Sequence, residues 1–249
     1  MQLEENTHRK WLALTYAVIF FLLEIMVITN SPIVTSFDKT AQNILGMIVS
    51  PFSTRIFTVI TFIGSPAMDV IYLVIMALLL YRIGKKDASF WIGFILIGGN
   101  IISYLIKITV KRSRPTDKII PASGFSFPSG HVFGTMLVIL TLIFLILPLI
   151  KNLSTRHTIT AILIIWLLLV TISRVYLRGH YLSDVTASAL LAGAWWECSE
   201  LLYLKYYIPF YQLTIILLQN LSYIFFIFFF HSYAISFVIF LVHCNNCSC

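Results

Sequence analysis

Charged side chains are scarce in this sequence. Only 11% of its 249 residues are Asp, Glu, Lys or Arg, whereas soluble domains carry about 25%. Hydrophobic residues make up 59% of the chain, and the mean hydropathy is +0.92. The composition excludes an ordinary soluble domain and indicates that lipid is the main solvent.

Cysteine is also rare, with one residue in an apolar run, Cys198, and three at the C-terminus, Cys244, Cys247 and Cys249. This distribution excludes a disulfide framework. The C-terminal C-x-x-C-x-C spacing is a weak metal signal, because no His or Cys pair lies at ligand spacing from it. We therefore predict no metal site from the cysteines.

A cleavable signal peptide is not evident. The first apolar run, 11–29, is long for the apolar part of a signal peptide and lacks a small-residue cleavage site, so we predict a retained span. A span needs about 20 apolar residues. We predict an all-α, polytopic membrane bundle in which residues 1–205 form a six-span domain. The predicted spans are 11–29, 67–82, 88–109, 131–150, 158–177 and 181–204.

Two segments do not fit the simple span pattern. The segment 31–66 is partly polar and is interrupted by proline and glycine, so we predict an extracytoplasmic loop with a short interfacial helix. Residues 206–249 contain no Lys, Arg, Asp or Glu and form a hydrophobic C-terminal extension. This extension has three possible readings: a seventh span, a hairpin or an anomalous tail.

The formal net charge is +7, but the neighbouring residues are aliphatic, which favours anionic lipid or a phosphorylated substrate over nucleic acid as partner. Lys and Arg divide almost equally between the two sides of the membrane. Most of the Lys and Arg residues on the side predicted to face outside lie in two segments, 107–118 and 174–178. If these serve a site, the remaining charges place the N-terminus in the cytoplasm and the site outside.

Three polar clusters follow or precede the predicted spans. They are 107–115, 128–131 and 173–184. Because the loops after the third and fifth spans are two spans apart, they lie on the same side of the membrane. The clusters are therefore expected to converge on one surface.

The residue types in these clusters suit a phosphate site. Lys107, Arg114 and Arg174 supply positive charge, and arginine grips phosphate through two parallel hydrogen bonds. Ser129 and Gly130 lead into a helix N-terminus, where free N–H groups and the helix dipole favour an anion. Gly130 has no Cβ, so the backbone can approach a ligand closely.

Two histidines and one acid supply the candidate chemistry. His180 and Asp184 are four residues apart, so they share a helix face, and a carboxylate on one ring nitrogen leaves the other free to attack phosphorus. His131 is then the candidate acid for the leaving oxygen. Each feature alone has an ordinary structural interpretation. Glu24 and Asp69 lie in or beside apolar runs, and the sequence is compatible with either a structural or a functional role for each acid.

Together the motifs read K-x6-R-P at 107–115, P-S-G-H at 128–131 and S-R-x5-H-x3-D at 173–184. This pattern resembles the type 2 phosphatidic acid phosphatase superfamily, which also includes membrane glucose-6-phosphatases and soluble vanadium haloperoxidases. The motifs are present in order, and the six-span layout also fits the family. The extension after about residue 205 has no counterpart in the resemblance.

The resemblance implies a role for each matching residue. His180 would be the nucleophile that forms a phosphohistidine, Asp184 its orienting partner and His131 the general acid. The implied phosphate pocket consists of Lys107, Arg114, Ser129, Gly130 and Arg174. The family needs no metal, and no cofactor is expected.

The expected function is a cell-membrane lipid phosphatase, similar in its compact loops to bacterial members. The candidate substrates are phosphatidate, phosphatidylglycerophosphate and undecaprenyl diphosphate. A lipid phosphotransferase would use the same residues and is distinguished by product analysis with and without an acceptor. A transporter or inactive scaffold predicts damaged motifs, and a haloperoxidase is disfavoured because that branch is soluble.

Overall fold

The computed structural model describes residues 7–203 and residue 205, and this part of the chain is all-α, as predicted. The described residues up to 201 form one compact unit. The helices are α1 (Thr7–Ile28), α2 (Pro32–Gly46), α3 (Pro51–Ile63), α4 (Pro66–Arg82), α5 (Lys86–Val110), α6 (Gly130–Thr141), α7 (Leu153–Tyr176) and α8 (Leu182–Leu202). A short π-helix, Leu142–Ile146, and a 3-10 turn, Leu147–Leu149, continue α6. The prediction for 206–249 lies outside the described residues.

Four helical segments in the described residues are long and apolar enough to cross a membrane. They are Arg9–Ile28, Lys86–Val110, Gly130–Leu149 and Leu153–Tyr176, and they agree with four of the predicted spans. The helices α3 and α4 pass the same test together, with a bend of 41° between them, as a broken span or a re-entrant loop. The protein is therefore a polytopic helical membrane protein, but the predicted count of six spans is not confirmed.

The prediction of a loop with one short helix over 31–66 is wrong, because α2 and α3 occupy most of this segment. The prediction treats Pro32, Pro51 and Pro66 as breakers, but each stands in the first turn of a helix. Proline is well tolerated there because its missing N–H has no helical partner to lose. Each proline also follows a serine at the N-cap. The side chains of Ser50 and Ser65 accept hydrogen bonds from the first turns of α3 and α4.

Helix α8 corresponds to the predicted span 181–204 but is not among the candidate spans. It carries the three acids Asp184, Glu197 and Glu200 and many small residues. More than half of its residues are buried, and Glu200 forms an ion pair with Arg9 of α1. The acids Asp184 and Glu200 are therefore buried against protein, which is where charged residues at membrane depth are tolerated.

A small apolar core fixes the ends of the helices that carry the motifs. Val132 of α6, Val170 and Val175 of α7 and Val185 of α8 are all buried in one cluster. Residues of α2 pack against the same cluster. The start of α6, the end of α7 and the start of α8 therefore meet at one end of the bundle, and α2 lies beside them.

Candidate active site

The structure brings the three motifs together at this end of the bundle. The Lys107 ammonium donates to the carbonyl oxygen of Pro128 at 2.8 Å, which joins the first motif to the second. Arg114 Nη1 lies 3.1 Å from His180 Nε2, which joins the first to the third. The ring centroids of His131 and His180 are 6.4 Å apart. All eight residues singled out from the sequence belong to the elements that meet here.

Helix α6 starts at Gly130, immediately after the buried Ser129. The backbone N–H of Ser129 donates to Ser188 Oγ of α8 at 2.7 Å, so this turn is fixed to α8. The Ser129 hydroxyl is buried and has no hydrogen-bond partner among the described residues. A Cβ at Gly130 would meet Pro66 at an ordinary 3.5 Å, so protein packing alone does not require glycine here.

Arg174, at the end of α7, is buried and only partly hydrogen-bonded. Its Nη1 donates to Thr61 Oγ1 at 3.3 Å. Its Nε is buried without a hydrogen-bond partner in the described part of the chain. A Cβ at Gly179 would lie 2.6 Å from Arg174 Nη2, so the guanidinium packs closely against this glycine. Buried unpaired donors are rare and costly in folded proteins, and this site holds one in Ser129 and one in Arg174.

The other two candidate phosphate ligands, Lys107 and Arg114, hold the segment between the first and second motifs. Lys107 also donates to the carbonyl oxygen of Phe125 at 3.1 Å. Arg114 Nε donates to the carbonyl oxygens of Ser123 and Gly124, at 3.1 and 3.0 Å. These two cations therefore already have backbone partners, unlike the unpaired donors of Ser129 and Arg174.

The neighbours of His180 determine its tautomer. Its Nδ1 lies 2.7 Å from the carbonyl oxygen of Ser126, which can only accept a hydrogen bond. The ring proton is therefore on Nδ1, and Nε2 has a lone pair, toward which Arg114 points. Burial lowers the pKa of His180 from its ordinary value to about 4, so the imidazole is neutral near pH 7.

Asp184 lies beside His180 but is held mainly by other groups. Its Oδ2 is 3.7 Å from His180 Nδ1, which is longer than a hydrogen bond. Arg112 donates to Oδ1 at 2.5 Å, and the backbone N–H of Tyr181 donates to Oδ2 at 2.9 Å. Ser126 is therefore the nearer acceptor for the imidazole, and Asp184 is its charged neighbour.

Sequence reasoning missed three contributors to this site: Arg112, Asp38 and the carbonyl group of Ser126. The backbone carbonyl leaves no trace in the sequence. Arg112 is one of several cations in the sequence near the first motif, and the sequence gives no partner for it. Asp38 would have stood out if α2 had been recognised, because it then shares a buried helix face with Val34.

Of the two intramembrane acids noted in the sequence, Asp69 has a clear environment. It is buried against α6, where Thr135 Oγ1 donates to its carboxylate at 3.4 Å. A Cβ at Gly134 would lie 2.5 Å from Asp69 Oδ2, so the glycine makes room for the acid. Glu24 is half-buried on α1.

Comparisons with known proteins agree with the fold. Two solved structures have a similar fold. A transmembrane PAP2 type phosphatidylglycerolphosphate phosphatase from Bacillus subtilis has a TM-score of 0.69 and 21% sequence identity, over 79% of this chain and 98% of that chain. LpxE from Aquifex aeolicus has a TM-score of 0.51 and 20% identity, over 68% of this chain and 95% of that chain. No curated protein matches the sequence.

The family model described as PAP2 superfamily matches residues 88–208. This range begins in α5 and includes all three motifs, so it contains every candidate site residue. The similar folds of the two solved structures cover 79% and 68% of this chain. Residues 88–208, and with them all three motifs, are therefore similar to the PAP2 superfamily.

Proposed function

We propose that this protein is an integral membrane lipid phosphatase that hydrolyses a lipid phosphomonoester or diphosphate through a phosphohistidine on His180. The observation that carries the proposal is the pair of buried, unpaired donors, Ser129 Oγ and Arg174 Nε, beside two histidines. A phosphate group supplies several strong acceptor oxygens and would satisfy both donors. Lys107 and Arg114 add positive charge on another side of the pocket.

The proposed first step is attack by His180 on phosphorus. Its neutral imidazole has the proton on Nδ1, held by the Ser126 carbonyl, and the lone pair on Nε2. Substrate oxygens would draw the Arg114 guanidinium away from Nε2, leaving the lone pair free. The N–P bond forms as the P–O bond to the lipid breaks, and His131 gives its proton to the departing oxygen.

The second step regenerates the enzyme. His131, now neutral, takes a proton from a water molecule as that water attacks the phosphohistidine. The N–P bond breaks, the electron pair returns to His180 Nε2, and inorganic phosphate leaves. The separation of 6.4 Å between the two ring centroids leaves room for a phosphorus centre between them.

Metal independence is part of the proposal and follows from the donor set. Hard cations prefer several carboxylate oxygens, whereas the proposed pocket contains three cations and two histidines. The nearest acid, Asp184, already accepts from Arg112 and Tyr181. In this mechanism the three cations, rather than a metal ion, stabilise the negative charge in the transition state.

The substrate class comes from the position of the site and from one of the similar structures. The site lies at helix ends, where a lipid head group can enter from the bilayer edge. The Bacillus subtilis protein is a phosphatidylglycerolphosphate phosphatase. We therefore propose phosphatidylglycerophosphate, phosphatidate and undecaprenyl diphosphate as the substrates to test first.

The test is phosphate release by the purified full chain in detergent across these three lipids, with and without EDTA and with vanadate as a phosphate mimic. Activity should survive EDTA and fall with vanadate. Loss on chelation that Mg²⁺ restores would contradict the metal-independent mechanism. Phosphate transfer to an added lipid or sugar acceptor, without release to water, would identify a phosphotransferase instead.

We further propose that the N-terminus is cytoplasmic and that the site faces outside. Single cysteines at 116–123 and at 84–87, in a variant with its native cysteines replaced, separate the two orientations. An impermeant thiol reagent added to intact cells should label the first position and not the second. The reverse labelling would place the chemistry in the cytoplasm.

A further inference from the structure

A buried carboxylate on α2 contacts the candidate active site without belonging to any of the three motifs. Asp38 is 2% exposed. Its Oδ1 accepts from the backbone N–H of Ser183 at 2.8 Å, and its Oδ2 accepts from the Ser183 hydroxyl at 2.8 Å. Both contacts fall on the first turn of α8, one residue before Asp184.

Arg112 connects this carboxylate to Asp184. Its Nη2 donates to Asp38 Oδ2 at 2.6 Å, and its Nη1 donates to Asp184 Oδ1 at 2.5 Å. The guanidinium carbon lies 4.1 Å from the ring centroid of Tyr181. Burial alone would lower the pKa of Arg112, but the two acids outweigh it and raise that pKa. A planar guanidinium with both ends bound and one face covered has little freedom to move.

These contacts fix the orientation of the Asp184 carboxylate relative to His180. Arg112 holds Oδ1, and the backbone N–H of Tyr181 holds Oδ2, which lies 3.7 Å from His180 Nδ1. The buried carboxylates Asp38 and Asp184 and the partly buried Arg112 sum to one negative charge. That charge lies next to a ring that becomes positive when Nε2 is phosphorylated.

We propose that Asp38 and Arg112 are positioning residues that hold Asp184 beside His180, so that α2 supports the catalytic step. The inference rests on the proposed role of His180 as nucleophile. Neither residue reaches the histidine rings; both act through Asp184. A group that orients a catalytic ligand from outside changes turnover more than substrate binding.

The variant Asp38→Asn tests this directly, because the amide keeps the shape and one acceptor oxygen but removes the charge. We expect kcat to fall by about 10- to 100-fold, with KM within about twofold, because the phosphate ligands are unchanged. The change is measured on the purified full chain with p-nitrophenyl phosphate and with phosphatidate. Melting temperature is recorded for every variant.

A double-mutant cycle separates positioning from general stability. If Asp38 acts through Asp184, Asp38→Asn should add little to the defect of Asp184→Asn in kcat. The matched control is Asp117→Asn, which breaks the more exposed Asp117–Arg178 ion pair in the neighbouring loop and should leave kcat unchanged. Two results would overturn the inference. One is a double variant whose loss of kcat equals the product of the two single-variant losses. The other is a wild-type kcat for Asp38→Asn.

A second variant decides the question if Asp38→Asn does not fold. Arg112→Lys keeps the positive charge but cannot bind both acids with one planar group, so kcat should fall with KM retained. An unchanged kcat overturns the inference. Failure of the proposed function looks different: His180→Ala would then retain turnover whatever the Asp38 and Arg112 variants do.

Discussion

The N-termini of α6 and α8 meet at the same site but differ in how their polar groups are satisfied. At the start of α8, Ser183 and Asp184 have hydrogen-bond partners on both α2 and the loop after α5. At the start of α6, the buried Ser129 hydroxyl has no partner among the described residues, and neither has Arg174 Nε at the end of α7, which meets this helix start. The α8 side is therefore complete in itself, whereas the α6 side has donors to offer a ligand.

The difference separates two tasks. In the proposed mechanism, groups on the α8 side hold Asp184 beside His180 before a substrate arrives, and preorganisation of this kind avoids reorganisation during the reaction. Groups on the α6 side would then gain their partners from the substrate. Variants on the α8 side should therefore lower stability and turnover together, whereas variants on the α6 side should lower activity without lowering stability.

The largest expected effect comes from His180→Ala, which removes the proposed nucleophile. Activity should fall by roughly 10⁴-fold or more on every substrate, whatever its leaving group. The measurement is kcat/KM on phosphatidate and p-nitrophenyl phosphate, with folding checked by thermal melting. Residual turnover near wild type on either substrate would remove His180 from the mechanism.

The variant His131→Ala should give a defect that depends on the leaving group. General acid catalysis contributes roughly 10²- to 10⁴-fold, and it matters most when the departing oxygen is basic, as in a lipid alcohol. We expect a severe loss of kcat/KM on phosphatidate and a milder one on p-nitrophenyl phosphate. Equal losses on the two substrates would make His131 a phosphate-binding residue rather than the acid.

Two serine-to-alanine variants test the comparison between the helix starts most closely. Ser129→Ala removes an unpaired buried hydroxyl, so the melting temperature should stay the same or rise, while kcat/KM falls by about 10²-fold. Ser183→Ala removes a hydroxyl bound to Asp38 and Arg112, so unfolding should become easier by about 2 kcal/mol. If both variants lower the melting temperature equally, the two helix starts do not differ in the way described.

The smallest effect concerns acid conditions. Burial lowers the pKa of His180 to about 4, so its lone pair should be lost only as the pH falls through about 4. The substrate phosphate has its own ionisation near pH 6. The dependence of kcat/KM on pH should therefore be measured with two monoesters of different second pKa. In the two profiles, the loss of kcat/KM caused by protonation of the ester should shift with the second pKa of the ester, whereas the loss caused by His180 should stay near pH 4. A loss near pH 6.5 that is the same for both esters would contradict the buried, neutral histidine.

The sequence predicted the helical fold and the meeting of the motifs because both leave clear patterns. Apolar runs mark the four segments that qualify as spans, and alternation of span direction brings the helix ends of 107–184 together. The three Ser-Pro pairs were misjudged because the same dipeptide marks a loop or the first turn of a helix. The sequence did not predict the buried contacts of Asp38 for the same reason, because an acid in a loop gives no reason to expect a buried ion pair.

The central claim is a covalent phosphohistidine on His180, and trapping it is the most direct test. The His131→Ala variant is mixed with p-nitrophenyl phosphate carrying radioactive phosphate, because this leaving group departs without an acid while breakdown of the intermediate still needs a base. The reaction is quenched in alkali, where phosphohistidine is stable. We predict acid-labile label on the peptide that contains His180, and none in the variant that also carries His180→Ala. Label on a serine, label that persists without His180, or phosphate release with no labelled protein at any time would contradict the account.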